Sequence, residues 1–244
     1  KPYGLFFAPE LSTSNRATIG GMINTDASGQ GSLKYGKTSD HVLAVSAVLM
    51  DGTELVTASQ SAEQLHKQAQ NNNYLATVCH QVLDTIAHKQ QQIEDTFPQL
   101  NRFLTGYDLV HLYDKNTEEF DLGRILCGSE GSLAFITEAK LNLTPIPKFR
   151  SLVNVKYDSF DSALRNAPFL IQANALSVET VDSVVLNLAK QDIVWHSVKS
   201  LITDIPNKDM QGINFVEFAE DDGDVQQQKI AHLTSELDRL MAAG

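Results

Sequence analysis

The sequence has 244 residues, of which 42% are hydrophobic and 20% are charged, and its formal net charge is −11. This composition is typical of a globular protein of one or two domains and argues against the disordered class. The 19 basic residues are scattered along an acidic chain, which argues against nucleic acid or anionic lipid as a partner. No apolar run approaches the roughly 18 residues of a membrane span.

The cysteine and histidine positions limit the metal chemistry of the chain. Cys79 and Cys127 are the two cysteines and lie far apart, so a disulfide scaffold or a four-thiolate metal or iron–sulfur site is excluded within this chain. We expect two reduced, buried thiols in a cytoplasmic protein, with a peripheral contact to the inner membrane left open. The seven histidines form no cluster, and no metal site is predicted.

The first half of the sequence begins with a Gly-, Ser- and Thr-rich stretch at 1–40, which indicates irregular backbone. An Asp51-Gly52 turn between two β-branched runs predicts an antiparallel hairpin. Ser61 and Gln64 form a capping box that opens a helical region. The predicted elements are strands at 41–50 and 54–58, two helices within about 60–96, a short helix from Thr105 to about Tyr113, a polar loop at 114–119, and strands at 133–137 and 140–143.

The second half follows two prolines, Pro145 and Pro147, which mark a domain boundary. Its order of elements predicts an α+β layer with helices on one face of a small sheet. The predicted elements are a strand at 151–157, a helix at 159–172, an extended stretch at 175–178, a helix at 179–190, a strand at 212–219 and a helix at 225–241.

Two glycine clusters are candidate ligand sites, because glycine lets backbone N–H groups approach phosphate or carbonyl oxygens closely. The first runs from Thr18 to Gly21 with Asn24 and Gly29 nearby, and the second is the run 128–132. Neither fits Gly-x-Gly-x-x-Gly or a Walker loop, and clusters of this kind are more often plain turns. The residues themselves leave both readings open.

Six segments in order resemble a known family, the FAD-binding domain of the vanillyl-alcohol oxidase type. The resemblance lies in the branch of D-lactate, glycolate and D-2-hydroxyglutarate dehydrogenases. The insertion at about 60–100 is similar to that of the large bacterial members that fuse an FAD module to an iron–sulfur module. The six segments are Ala8-Pro9, 17–21, Lys34-Tyr35-Gly36, 42–52, 105–109 and 128–139.

The resemblance implies FAD as the cofactor and assigns positions to it. Thr18, Ile19, Gly20 and Gly21 would meet the pyrophosphate and flavin, and the segment from Asn24 through Gly29 to Tyr35 would pass along the isoalloxazine edge. Gly128, Glu130 and Gly131 would hold the adenosine end, with Glu130 as the ribose acceptor and Ile136 presenting main chain to adenine. Lys34 facing a substrate carboxylate is the weaker of two readings, the other being a solvated lysine.

The resemblance also implies a fold and an activity. The fold class is α+β: the second half of the FAD-binding domain at 1–147, followed by the start of a ferredoxin-like cap domain at 148–244. The family's first glycine-rich loop and late histidine-rich motif have no counterpart in 1–244. We therefore expect a segment of a longer polypeptide, with the catalytic base and any iron–sulfur cluster outside this chain.

The implied reaction oxidises a D-2-hydroxy acid, D-2-hydroxyglutarate or D-lactate, to the 2-oxo acid with hydride transfer to FAD. An alcohol or sugar oxidase on the same fold is one alternative. A flavin-free scaffold module is the other. Tyr107 and Asp108 match the family's motif, but packing and capping explain these two residues equally well.

Overall fold

The computed structural model describes residues 2–100, 106–193, 195–202, 205 and 207–243. The chain divides into two compact units, Lys1–Pro145 and Ile146–Gly244. Among the described residues, no helix is both long enough and apolar enough to cross a membrane.

The first unit contains short strands around a three-stranded antiparallel sheet, in which the strand at 42–49 lies between those at 54–56 and 134–141. Its strands are β1 (Leu5–Phe6), β2 (Val42–Leu49), β3 (Glu54–Val56), β4 (Gln60–Ser61), β5 (Tyr113–Asp114), β6 (Glu119–Phe120), β7 (Ala134–Leu141) and β8 (Thr144–Pro145). Its helices are α1 (Ile19–Asn24), α2 (Ser32–Tyr35), α3 (Ala62–Ala69), α4 (Tyr74–Thr96) and α5 (Gly123–Leu126), with a 3₁₀ turn at Thr38–His41.

The predicted hairpin is confirmed: β2 and β3 pair antiparallel around Asp51-Gly52. Gly52 has a φ of +88°, which favours glycine, and the Asp51 carboxylate accepts hydrogen bonds from the Thr53 amide and hydroxyl at 2.9 and 2.7 Å. The inward face of the sheet, including Val45 and Ala47, packs with α3 and α4 into the main core. The two strands predicted at 133–137 and 140–143 form the single strand β7.

Both helices predicted within 60–96 are present, and the first begins as expected. The Ser61 amide donates to the Gln64 side chain at 2.9 Å, and the Gln64 amide donates to the Ser61 hydroxyl at 3.3 Å. These two bonds form the capping box. The second helix ends at Thr96, before Pro98.

The short helix predicted from Thr105 to Tyr113 is wrong for its described part, and Thr105 itself lies outside the described residues. Asp108 accepts hydrogen bonds from the amide and the ring of His111, but the chain leaves this turn at Tyr113, where pairing with Phe120 places it in β5. Tyr113 and Asp114 then pair with Phe120 and Glu119, so the predicted polar loop is the tip of a hairpin.

The second unit has the split βαβ arrangement, because β11 (Gly212–Glu220) lies between the parallel strands β9 (Phe149–Tyr157) and β10 (Ser177–Asp182) and is antiparallel to both. Residues 179–182, predicted as helix, belong to β10, since their pairing with β11 overrides a weak local preference. The elements are β9 (Phe149–Tyr157), α6 (Phe160–Gln172), β10 (Ser177–Asp182), α7 (Ser183–Ala189), α8 (Trp195–Val198), β11 (Gly212–Glu220) and α9 (Gly223–Ala243).

Two small cores cover the two faces of this sheet. Val216 and Phe218 pack with Leu170 of α6 and Leu233 of α9. Ile213, which points to the opposite face, packs with Leu186 of α7 and Met210. The sequence predicted helices on one face, whereas α7 covers the other.

Candidate cofactor site

The two glycine clusters meet in the structure. The Gly128 amide donates to the Ile23 carbonyl at 2.9 Å, and the Glu130 amide donates to the Asn24 carbonyl at 2.8 Å. The C-terminal end of α1 is thereby joined to the run 128–132, which we call the glycine turn. Segments about a hundred residues apart in sequence thus form one backbone surface.

The two glycines in the first turn of α1 have different surroundings. The Thr18 hydroxyl caps the helix by accepting from the Gly21 amide at 3.1 Å, and a Cβ on Gly21 would lie 3.0 Å from that hydroxyl oxygen. A Cβ on Gly20 would meet no heavy atom within 4 Å, and the φ of Gly20 lies outside the left-handed region. Neither packing nor conformation explains Gly20, and its exposed backbone is open to a ligand.

The glycine turn holds Glu130 in a conformation that non-glycine residues seldom adopt. Gly128, Glu130 and Gly131 have φ values of +79°, +52° and +75°. Gly128 and Gly131 adopt this left-handed conformation at little cost because they lack a Cβ. Glu130 has a Cβ and is strained by roughly 1 kcal/mol. The turn therefore exposes the Glu130 side chain, and the strained backbone of Glu130 is the cost in conformational energy.

Four other predicted site residues lie outside this hydrogen-bonded junction. A Cβ on Gly29 would lie 1.5 Å from the Glu10 carbonyl oxygen, so a close backbone contact explains that glycine. Tyr35 packs edge-on against Phe6 with ring centroids 5.7 Å apart. Lys34 is exposed, with its ammonium group 5.8 Å from the Tyr35 ring centroid, and Ile136 pairs with Ala47 inside the β2–β7 ladder.

A cavity of about 600 Å³ opens beside the glycine turn. Its lining combines carboxylates, hydroxyls, bare backbone and one ammonium group. The lining residues are Thr25, Asp26, Lys37, Gly106, Tyr107, Asp108, Cys127, Gly128, Ser129, Glu130 and Ser132.

The cavity contains an ion pair, between Lys37 and Asp26, that the sequence analysis did not single out. Their charged groups lie 2.6 Å apart with 4% and 5% of the side chains exposed, and Lys37 lies 3.8 Å from a carboxylate oxygen of Asp108. Asp26 also accepts from the amide and hydroxyl of Ser39 at 2.8 and 3.1 Å. A buried lysine matched to a buried aspartate leaves no local sequence signal, because each residue type is ordinarily exposed.

Two titratable groups of the cavity have shifted pKa values. Burial raises the pKa of Asp108, but the hydrogen bond and charge of His111, the His111 amide and the charge of Lys37 outweigh it and hold that pKa below its usual value. Burial, reinforced by the charge of Asp26, raises the pKa of the Cys127 thiol to about 12. At neutral pH the site therefore presents the Asp108 carboxylate and a protonated thiol.

These groups fit a flavin dinucleotide, which requires close backbone for its phosphates, an acceptor for its ribose and apolar walls for its rings. Gly20 and the glycine turn offer the backbone, Glu130 offers the acceptor and Tyr107 offers a ring. Within the described residues, no three His, Cys, Asp or Glu side chains are grouped so as to hold a metal ion.

Two known protein families match parts of the chain. Residues 1–58 match the family described as FAD binding domain, and residues 146–244 match the family described as FAD linked oxidases, C-terminal domain. Two segments of the chain are thus similar to domains of FAD-dependent proteins. The family resemblance and the mixed α+β fold predicted from sequence are thereby confirmed.

Curated relatives of these FAD-linked oxidase domains are longer proteins. The chain is 60% identical over 243 residues to D-2-hydroxyglutarate dehydrogenase of Escherichia coli K12, covering 100% of this chain and 24% of that protein. It is 57% identical to the D-2-hydroxyglutarate dehydrogenase of Haemophilus influenzae, covering 99% and 23%, and 26% identical to glycolate oxidase subunit GlcD of Bacillus subtilis, covering 75% and 28%. The chain spans about a quarter of the length of these relatives.

A solved structure of alkyldihydroxyacetonephosphate synthase shares the fold of this chain. It superposes with a TM-score of 0.57 at 16% identity and covers 98% of this chain and 35% of the synthase. This likeness concerns the fold alone.

Proposed function

We propose that the chain is part of a flavin-dependent dehydrogenase that oxidises a D-2-hydroxy acid, D-2-hydroxyglutarate or D-lactate, to the 2-oxo acid. The observation that carries the proposal is the hydrogen-bonded junction of α1 with the glycine turn. It occurs in a chain 60% identical to a protein named D-2-hydroxyglutarate dehydrogenase. D-2-hydroxyglutarate is accordingly the first substrate to test.

The proposed role of this chain is to hold and orient FAD. Thr18, Ile19, Gly20 and Gly21 would face the pyrophosphate and the adjoining flavin, because the exposed backbone of Gly20 leaves room for close approach. Bound FAD supplies the acceptor for the hydride that leaves C2 of the hydroxy acid.

The glycine turn would hold the adenosine end of FAD, with Glu130 accepting from a ribose hydroxyl and Ile136 offering main chain to adenine. Asn24, Gly29 and Tyr35 would lie toward the isoalloxazine ring. Gly29 would take part through its backbone, because its close contact with the Glu10 backbone fixes the course of the segment 24–35.

Lys34 is proposed to attract the substrate carboxylate, since a 2-hydroxy acid needs a cation beside that group for orientation. The base that removes the hydroxyl proton is assigned to a part of the longer polypeptide outside this chain.

The wider setting of the enzyme is also a proposal. We place residues 1–147 in the FAD-binding domain, with the helical insertion at about 60–100, and residues 148–244 in the substrate-side cap. Electrons would leave FAD through an iron–sulfur cluster elsewhere in the longer polypeptide. The enzyme would work in the cytoplasm or at the periphery of the inner membrane, with the hydroxy acid and the remainder of its own polypeptide as partners.

The experiment is anaerobic flavin bleaching in the full-length protein that contains this chain. D-2-hydroxyglutarate, D-lactate and their L enantiomers are added one at a time while the visible flavin band is recorded. Bleaching by one of the D acids supports the proposal and names the substrate. A bound flavin that none of them reduces would assign the protein to another alcohol or sugar, and a colourless protein would support the scaffold reading.

A further inference from the structure

The hydrogen bond between Tyr107 and Ser132 has a defined direction. The two hydroxyl oxygens lie 3.0 Å apart, and the Ser132 hydroxyl oxygen lies 2.6 Å from the Ser129 carbonyl oxygen. A carbonyl oxygen only accepts, so the single hydroxyl proton of Ser132 is used there. The Tyr107 phenol must therefore donate to Ser132, forming a chain from Tyr107 through Ser132 to Ser129.

Glu130 lies inside the four-residue turn 129–132 that these hydrogen bonds stabilise. The Ser132 amide also donates to the Ser129 carbonyl, at 3.0 Å. Ser129 and Ser132 are therefore the two ends of a turn that contains the strained left-handed Glu130. Tyr107 reaches that turn from a separate segment, and this residue, 43% exposed, lines the same cavity as Glu130.

We infer that Tyr107 is a positioning residue that holds the Glu130 carboxylate toward the adenosine end of FAD. The inference rests on the proposed function. Without the phenol hydroxyl, Ser132 loses its donor from outside the turn, and the strained Glu130 backbone has one fewer restraint. This action on FAD through Glu130 belongs to the phenol hydroxyl, and the ring that lines the cavity is kept in Tyr107→Phe.

A double-mutant cycle tests this role in the full-length protein. FAD affinity of the apoprotein is measured by flavin fluorescence for wild type, Tyr107→Phe, Glu130→Gln and the double variant, with thermal melts of each apoprotein alongside. Tyr107→Phe is expected to weaken FAD binding about fivefold in the wild-type background and less than about twofold in the Glu130→Gln background. Tyr113→Phe, which alters a phenol packed on Phe120 away from the cavity, is the matched control and should leave affinity unchanged.

The outcomes separate this inference from the proposed function. Equal weakening by Tyr107→Phe in both backgrounds, or unchanged affinity with a lowered melting temperature, overturns the positioning role and leaves FAD binding standing. A wild-type protein that takes up no FAD overturns the proposed function and the positioning role together.

Discussion

Lys37 and Asp26 form an ion pair inside the first unit, with 2.6 Å between ammonium and carboxylate and about 5% of each side chain exposed. Removing one member of such a pair leaves the other charge buried without its oppositely charged partner. We predict that Lys37→Met lowers the free energy of unfolding by about 3–5 kcal/mol, measured by urea denaturation. Arg165→Met removes a pair whose side chains are 77% and 67% exposed and should leave the free energy of unfolding nearly unchanged.

A loss no larger in Lys37→Met than in Arg165→Met would contradict the burial of the Lys37–Asp26 pair. Asp26→Asn gives a second test of the same pair. It removes the negative partner and should also destabilise the protein, because the Lys37 ammonium then remains buried with a weaker partner.

The lowered pKa of Asp108 makes stability depend on pH in a defined direction. A carboxyl group whose pKa is lower in the folded than in the unfolded state stabilises the fold above its unfolded value of about 4. That contribution is lost as the pH falls through the native pKa. We predict that wild type loses stability from about pH 5 downward and that Asp108→Asn has a shallower slope below that pH, measured by urea denaturation at successive pH values. Parallel curves for the two proteins would rule out this role of Asp108.

The parts of the fold that follow from local sequence were predictable, and those set by distant contacts were not. The Asp51-Gly52 turn and the Ser61–Gln64 capping box each use residues within a few positions, so their chemistry is visible in sequence. Residues 179–182 form a strand because β11 pairs with them, and β11 lies some thirty residues later. The resemblance predicts that α1 and the glycine turn both contact the cofactor, but only the structure shows the hydrogen bonds that join them.

The same distinction applies inside the site. Glycines were proposed as ligand contacts by type, yet Gly29 and Gly21 have structural explanations whereas Gly20 has none. Lys37 gave no signal at all, because its burial depends on Asp26 and Asp108 being brought to it by separate segments.

Gly29 provides a prediction on packing. A Cβ at this position would lie 1.5 Å from the Glu10 carbonyl oxygen, which is backbone and cannot rotate away. Gly29→Ala should therefore lower stability by more than about 2 kcal/mol through overpacking, as measured by thermal and urea denaturation. A variant as stable as wild type would show that the Glu10 and Gly29 backbones are farther apart.

The cysteines provide a prediction on reactivity. Both thiols are buried, burial raises both pKa values, and that of Cys127 reaches about 12. Since the thiolate is the nucleophile, neither should react with a disulfide reagent at pH 8 in the native state. The measurement is thiol titration of Cys79→Ser and Cys127→Ser before and after adding denaturant. Rapid labelling of native Cys127 would contradict its burial beside Asp26.

Gly20 gives the sharpest separation between a structural and a cofactor role. Alanine favours an α-helix over glycine by about 1 kcal/mol, and the Cβ position at Gly20 is empty of protein atoms. We therefore predict that Gly20→Ala raises the melting temperature of the apoprotein while weakening FAD binding at least tenfold, because its methyl group would occupy the space proposed for the phosphate.

The measurements are thermal melts and flavin titration of the full-length protein. The control glycine is Gly4, which is exposed and also has no neighbouring atom at its Cβ position. Gly4 has a φ of +69°, so Gly4→Ala should destabilise without changing FAD affinity, the opposite pattern. Unchanged FAD affinity in Gly20→Ala would remove the first turn of α1 from the cofactor site.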